Sequence, residues 1–261
     1  MGWRLWKRLF RGAATDGWLE VRERCLSAAV LGLDSIWYVC CSQTEIDPMD
    51  RVFGRSFDYH LTSPLELRGT EKPFDHWVDN KVIDHVDELA ERFIAASSLA
   101  ILSSTRKDGV LDITPRGDPA GFVNVIDKKL IAIPDRPGNN RLDTFENILE
   151  NPNVGVLFII PGRRDTLRVS GKGAVVRDAN LGRQLSVNGR PSDLILLVQV
   201  KRVLCHCPKA FIRGKVWQSQ DWPDTSDVPS LADMMKVHGA MPESVKEIAD
   251  GCAEDAEQNL Y

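Results

Sequence analysis

Apolar positions recur along this chain with two periods, and the switch between them outlines its organisation. Between residues 79 and 97, Val82, Val86, Leu89 and Phe93 fall on one helical face with acidic residues between them, which predicts an amphipathic helix. A shorter helix is expected from Ser63-Pro64-Leu65-Glu66: a Ser cap, Pro at the first helical position and Glu three residues on. Beyond residue 98 the pattern turns to short apolar runs bounded by turn residues. Leu99–Thr105 and Val110–Thr114 flank Lys107-Asp108-Gly109, and Gly121–Ile126 and Leu130–Ile133 flank Asp127-Lys128-Lys129; both read as hairpins. A helical pattern over Asn140–Leu149 stops at Asn151-Pro152. Val154–Ile160 is nearly continuous in apolar residues, as expected of a strand buried on both faces. Thr166–Val176 is a strand broken by Gly171 and Gly173, a sign of a bulge or close backbone approach. A short helix around Asn180–Val187 precedes a long strand, Leu194–Cys207, which Pro208 ends. A short helical stretch reaches Trp217, and one amphipathic piece follows near Val245–Ala249.

Six or seven strands in hairpins with few helices predict a mainly β fold with flanking helices (α+β), built as a closed antiparallel barrel. Composition divides the chain into an N-terminal extension over 1–58, a β-rich domain over 59–218 and an acidic tail over 219–261. The extension holds four of the seven tryptophans and three of the six cysteines. It reads as a basic amphipathic membrane-surface element at Trp3, Leu5, Trp6, Leu9 and Phe10, as a poorly ordered terminus, or as residues preceding a true start at Met49. The run Leu26–Cys41 is short for a membrane span and contains Asp34.

The net charge of −4 is unevenly spread. Residues 59–218 carry 23 basic against 19 acidic side chains, and the tail carries 2 against 10. A mildly basic middle suits a phosphate ligand and is too weak and scattered for nucleic acid. The cysteines form no paired framework, so reduced thiols and a cytoplasmic location are expected. Cys205-His206-Cys207 lies on an expected strand, where the two thiols and the imidazole face opposite sides, and no second ligand pair exists; no metal site is expected. Nucleotide P-loop, dinucleotide-binding, zinc-protease and serine-hydrolase signatures are all missing.

Two basic loops carry the candidate chemistry: Thr114-Pro115-Arg116-Gly117-Asp118, and Pro134-Asp135-Arg136-Pro137-Gly138-Asn139-Asn140-Arg141. Each follows an apolar run, and the second opens into a helix. Free N–H groups at a helix start favour an anion, and an arginine fork adds charge-assisted bonds. Asn139 and Asn140 suit capping as well as ligand binding, and Asp118, Asp135 and Arg136 suit pairing with one another to shape the loops.

The stretch from Asp112 to Val123 resembles a signature of the pyridoxamine 5′-phosphate oxidase-like FMN-binding split-barrel family. So do Ile133–Arg141, Glu150–Gly155, Thr166–Gly171 and His206–Ala210, in that order. The likeness spans about Leu61 to Trp217 and is greatest to a subgroup whose substrate is unassigned. It implies a six-stranded antiparallel split barrel and a homodimer with FMN between subunits. It places a phosphate contact at Arg141, a second basic contact at Arg116, ligand positions at Asn139 and Asn140 and a further phosphate contact at Lys209, and it makes Thr114 and Gly117 cofactor-binding residues. Thr166 and Trp217 fall near positions where relatives meet the flavin, and Arg168 is expected on the same strand face as Thr166.

The activity implied is an FMN-dependent oxidoreductase that passes hydride or electrons from a reduced nicotinamide or small organic donor through FMN to oxygen or another acceptor. The cofactor carries such chemistry, so the lack of an acid–base constellation is no objection. The vitamin-forming oxidase ends in an Arg- and His-bearing segment that grips a phosphorylated substrate. Here Trp217 is followed by Gln218-Ser219-Gln220-Asp221-Trp222-Pro223 and an acidic tail, which argues against pyridoxine phosphate. The competing expectation is a non-catalytic flavin- or haem-binding split barrel that stores, senses or regulates.

Overall fold

The computed structural model describes residues 51–57, 60–70, 78 and 80–261, and the expectations for residues 1–50, the Met49 start among them, lie outside these. The chain forms two compact units, Met1–Pro73 and Phe74–Tyr261. In the first, strands β1 (Arg51–Val52) and β2 (Arg55–Ser56) pair antiparallel. Helix α1 (Pro64–Thr70) starts where its cap predicts. Glu66 N–H donates to Ser63 Oγ at 3.2 Å, and Thr62 N–H donates to Glu66 Oε2 at 2.9 Å.

The second unit opens with β3 (Val82–Ile83) and α2 (Glu88–Ala96). The expected helix over 79–97 is therefore only half present. Asp87 caps α2 by accepting from Ala90 N–H at 2.8 Å, and Val82 is drawn into the sheet opposite Leu204. The buried face of α2 is Ala90 and Ile94, while Leu89 is exposed.

Strands β4 (Leu99–Thr105), β5 (Leu111–Gly117), β6 (Asn124–Asp127) and β7 (Leu130–Pro134) form the two expected hairpins. After α3 (Asp143–Glu150) come β8 (Asn153–Ile159) and β9 (Thr166–Val176). Helix α4 (Ala179–Gln184) precedes β10 (Ile195–His206). Helix α5 (Lys209–Arg213) leads into the acidic segment, which folds as α6 (Leu231–His238) and α7 (Val245–Gln258), each with a Ser capping box.

The hydrogen-bonded order is β5–β4–β8–β9–β10–β7–β6, with β3 beside β10, all antiparallel pairs. The path is open: β5 and β6 are its two ends, so the expectation of a barrel closed by backbone bonds is corrected. Ala100 and Leu102 from β4 nevertheless share one core with Ile131 and Ile133 from β7. Elements far apart in the ladder thus face a common interior, which makes the sheet a split barrel.

Burial on both faces falls on β7, not on β8. Val154, Val156 and Phe158 alternate inward along β8, and Leu157 is half-exposed. On β7, Ile131 and Ile133 join the main core while Ala132 packs with Leu185 and Ile195 beneath α4. A strand is buried twice only where a helix covers its outer face, and the strand's own period does not record that cover.

One bulge sets the parity of β10. The register with β9 shifts between Val200 and Arg202, leaving Lys201 as the extra residue. Val200 and Val203 therefore both point inward despite their odd spacing. Gly171 sits opposite, where an added Cβ would lie 1.9 Å from the Gln199 carbonyl oxygen.

Candidate functional site

The two basic loops meet at the seam between β5 and β7, where the ladder is not closed by backbone bonds. Arg116 Nη1 donates to Asp135 Oδ1 at 2.9 Å, and Arg136 Nε donates to Asp118 Oδ2 at 2.6 Å. Each loop gives one arginine and one aspartate, so the clasp is reciprocal. Of the expected pairing among Asp118, Asp135 and Arg136, Asp118 and Arg136 do pair, whereas Asp135 takes Arg116 instead. Arg116 also lies over the Phe145 ring, 5.5 Å from its centroid. Burial pushes the Asp135 carboxyl above its ordinary value, and the Arg116 charge opposes that shift.

Helix α3 is fixed against the same strands by polar bonds. Thr144 Oγ1 donates to Asp112 Oδ2 at 2.8 Å, and Asn147 Nδ2 donates to Ser104 Oγ at 3.0 Å in the core. Phe145 and Ile148 supply the apolar contacts. The chain enters α3 through Asn140 (φ 54°) and Leu142 (φ 56°). Leu142 occupies the cap position and offers no capping side chain. An α-helix begins with N–H groups that lack partners within the helix; here no side chain caps them, though Phe145 N–H turns back to the Leu142 carbonyl at 2.8 Å. Asn139 Oδ1 accepts from Arg141 N–H at 3.1 Å.

These elements enclose a cleft of about 230 Å³ that brings together Thr114, Arg116, Asn139, Asn140 and Arg141. Asp112, Asp135, Asp143 and Thr144 line it too. Every arginine in the cleft is matched by a carboxylate: Arg116 by Asp135, Arg136 by Asp118, and Arg141 by Asp143 at 2.6 Å. The Arg141 pair is the most exposed, with the arginine side chain 71% exposed and Nε engaged. Its hydrogen bond to the Asp143 carboxylate raises the Arg141 pKa further.

The other sequence-predicted residues stand elsewhere. Gly117 ends β5 outside the cleft lining. Thr166 is buried at the start of β9, opposite His206. Arg168 is exposed on the outer face of the sheet, in a separate cleft of about 350 Å³ with Ile101, Leu157, Arg202 and Leu204. Ile113 lines both clefts, so the two adjoin. Lys209 is the exposed first residue of α5. Trp217 donates Nε1–H to the Arg163 carbonyl at 2.5 Å and lies 6.1 Å from the Phe211 ring. Among the described residues no group of His, Cys, Asp and Glu could hold a metal ion, and Cys205 and Cys207 are exposed free thiols. No helix among the described residues is long and apolar enough to cross a membrane.

Residues absent from the sequence reading of the site are Asp143, Thr144 and Tyr261. The first two were within reach of the sequence, since they directly follow Arg141-Leu142 at a helix start. Tyr261 lies 143 positions from its partner Asp118, and no local pattern marks it.

Residues 86–207 match the family model described as pyridoxamine 5′-phosphate oxidase. No curated protein matches the chain. Among solved structures, HupZ of Group A Streptococcus is 14% identical, with 46% of this chain and 93% of that one covered and a TM-score of 0.39. General Stress Protein 26 of Bacillus anthracis is 19% identical, with coverages of 45% and 90% and a TM-score of 0.34. An FMN-binding protein of Syntrophomonas wolfei is 13% identical, with coverages of 46% and 90% and a TM-score of 0.35.

Proposed function

We propose that this chain, which carries a pyridoxamine 5′-phosphate oxidase-like domain over residues 86–207, binds FMN and is an FMN-dependent oxidoreductase. The observation that carries this reading is the convergence of Arg116, Asn140 and Arg141 on the uncapped start of α3 within one cleft. The donor set fits a phosphate: arginine forks, an amide, the Thr114 hydroxyl and orphan helix N–H groups. Bound FMN supplies hydride and electron transfer, and the protein supplies binding, orientation and exclusion of competing reactions. Thr114, Arg116, Asn139, Asn140 and Arg141 are assigned to the phosphate end. Asp143 holds the Arg141 guanidinium until a phosphate competes for it.

A cleft of 230 Å³ lies below the range of about 300–1,000 Å³ usual for small-molecule pockets. It suits the phosphate and the chain next to it, not a whole flavin. The adjoining cleft beyond Ile113 extends the surface toward Arg168, Leu157 and Leu204. A second copy of the chain on this outer face would enclose the ring, with Arg168 as its further contact. Arg168 is the cation suited to stabilise negative charge on a reduced flavin. Exposed Cys205 and Cys207 suit a reducing, cytoplasmic compartment. The acidic segment 219–261 disfavours a phosphorylated substrate, which favours a small unphosphorylated organic donor over a reduced nicotinamide, whose pyrophosphate is itself anionic.

The test is the absorption spectrum of the purified protein with added FMN, then anaerobic titration with NADH and NADPH. A yellow protein bleached by either donor supports the enzyme. A yellow protein inert to all donors leaves only a binding module. A protein that takes up no FMN overturns the reading. A haem role has no histidine in either cleft to serve as axial ligand.

A further inference from the structure

The Asp118 carboxylate is the most enclosed charge of the clasp, its side chain only 1% exposed. A buried carboxylate is tolerated when both oxygens are hydrogen-bonded. Oδ2 accepts from Arg136 Nε, and Oδ1 accepts from the Tyr261 hydroxyl at 3.0 Å. The carboxylate raises the Tyr261 pKa and keeps the hydroxyl a donor. Arg136 also donates Nη2 to the Leu185 carbonyl at 2.8 Å, so it is pinned from two sides. Asp135 and Arg136 begin the loop that ends in Asn140 and Arg141. Tyr261 joins Asp135, Arg136 and Asn140 around a second cleft of about 340 Å³, which shares those three residues with the phosphate cleft.

The geometry points to Tyr261 as a positioning residue of the phosphate cleft: by completing the buried Asp118–Arg136 pair, its hydroxyl holds the loop from Asp135 to Arg141 in its anion-binding shape. This rests on the phosphate reading of the cleft proposed above. Loss of the hydroxyl leaves Oδ1 without its donor in a nearly closed site. The pair must then shift to admit water, and the loop shifts with Arg136. The acidic segment 219–261 thereby acts on the cofactor end of the site through one neutral hydroxyl and not through its charge.

The test compares Tyr261→Phe, Asp118→Asn and the double variant in the full chain. Two quantities are read: FMN affinity by quenching of flavin fluorescence, and amide hydrogen exchange over residues 134–142 without FMN. Tyr261→Phe is expected to weaken FMN about tenfold, equivalent to about 1.4 kcal/mol, and to speed exchange in the loop. The double variant is expected to bind no more weakly than Asp118→Asn alone, because the hydroxyl works through that carboxylate. If Asp118→Asn does not fold, Arg136→Lys takes its place in the cycle. Additive losses, or exchange unchanged by Tyr261→Phe, overturn the proposal. A wild-type chain that takes up no FMN sinks the phosphate reading, and faster loop exchange in Tyr261→Phe would still uphold the clasp.

Discussion

Arg116 Nη1 stands 2.9 Å from Asp135 Oδ1, and this pair joins two strands that share no backbone bond. The side chains are 23% and 20% exposed, so the pair is shielded enough to matter and wet enough to be spared a full burial penalty. Arg116→Ala removes the β5 half of the clasp and one cleft cation together. It is expected to cost about 1–3 kcal/mol of stability and at least about tenfold in FMN affinity. Urea unfolding and flavin titration measure the two effects. A stability loss with unchanged FMN affinity would make Arg116 purely structural.

Asp135 gives the clasp a pH signature. A carboxyl whose pKa is raised on folding holds its proton more tightly in the native chain. Its contribution to stability is complete below the unfolded value, about 3.9, and is lost as pH rises through the raised native value. Thermal unfolding of Asp135→Asn across pH 3–7 is expected to lack that component. Arg116→Ala is expected to move the native value higher still, because burial then acts unopposed. An Asp135 titration, followed by carboxyl NMR shifts, that moves down in Arg116→Ala would contradict this.

On the proposed phosphate reading, Asp143, which holds Arg141 at 2.6 Å, competes with the ligand for that guanidinium. Asp143→Asn frees the guanidinium and removes a negative charge from the cleft. It is expected to tighten FMN binding about threefold. The variant also loses a favourable acid at a helix start, worth about 0.3–1 kcal/mol. Calorimetric titration beside a melting curve separates the gain from the loss. Tightening that is absent in Asp143→Asn and present in Asp143→Ala would point to sterics.

Gly171 is required by the close approach of two backbones. A Cβ there would fall 1.9 Å from the Gln199 carbonyl oxygen, with no flexible side chain to yield. Gly171→Ala is expected to destabilise the chain by about 2 kcal/mol or more. A melting temperature equal to that of the parent protein would show that the β9–β10 bulge can relax.

The strands were legible where turn chemistry and alternation agreed. Lys107-Asp108-Gly109 places Gly109 at φ 90°, and β9 runs over Thr166–Val176 as its pattern indicates. Legibility failed where a tertiary partner decides. Val82 fits the helical period of its neighbours, yet it pairs with β10, and the Asp87 cap starts the helix five residues later. Helix α6 was missed although Ser230 and Asp233 form a capping box whose spacing stood in the sequence. In the site, the meeting of the two basic loops in one cleft was readable because each carries its polar and basic side chains within a few residues. The clasp partners were readable only as candidates. Tyr261 was not readable, since its role exists only once the chain has brought it to Asp118.

The matched arginines and aspartates of the cleft have a kinetic consequence. Three cations are paired within 3 Å with three carboxylates, and Asp112 in the lining is a fourth carboxylate, so no net positive charge is left to send an attractive field past the mouth of the site. A dianion approaching from solvent is not drawn in from beyond the roughly 8 Å over which physiological salt permits steering. It meets the arginines only after arrival, by exchanging one anionic partner for another. On the proposed reading, such a site would recognise its phosphate by shape at contact and not by attraction from afar.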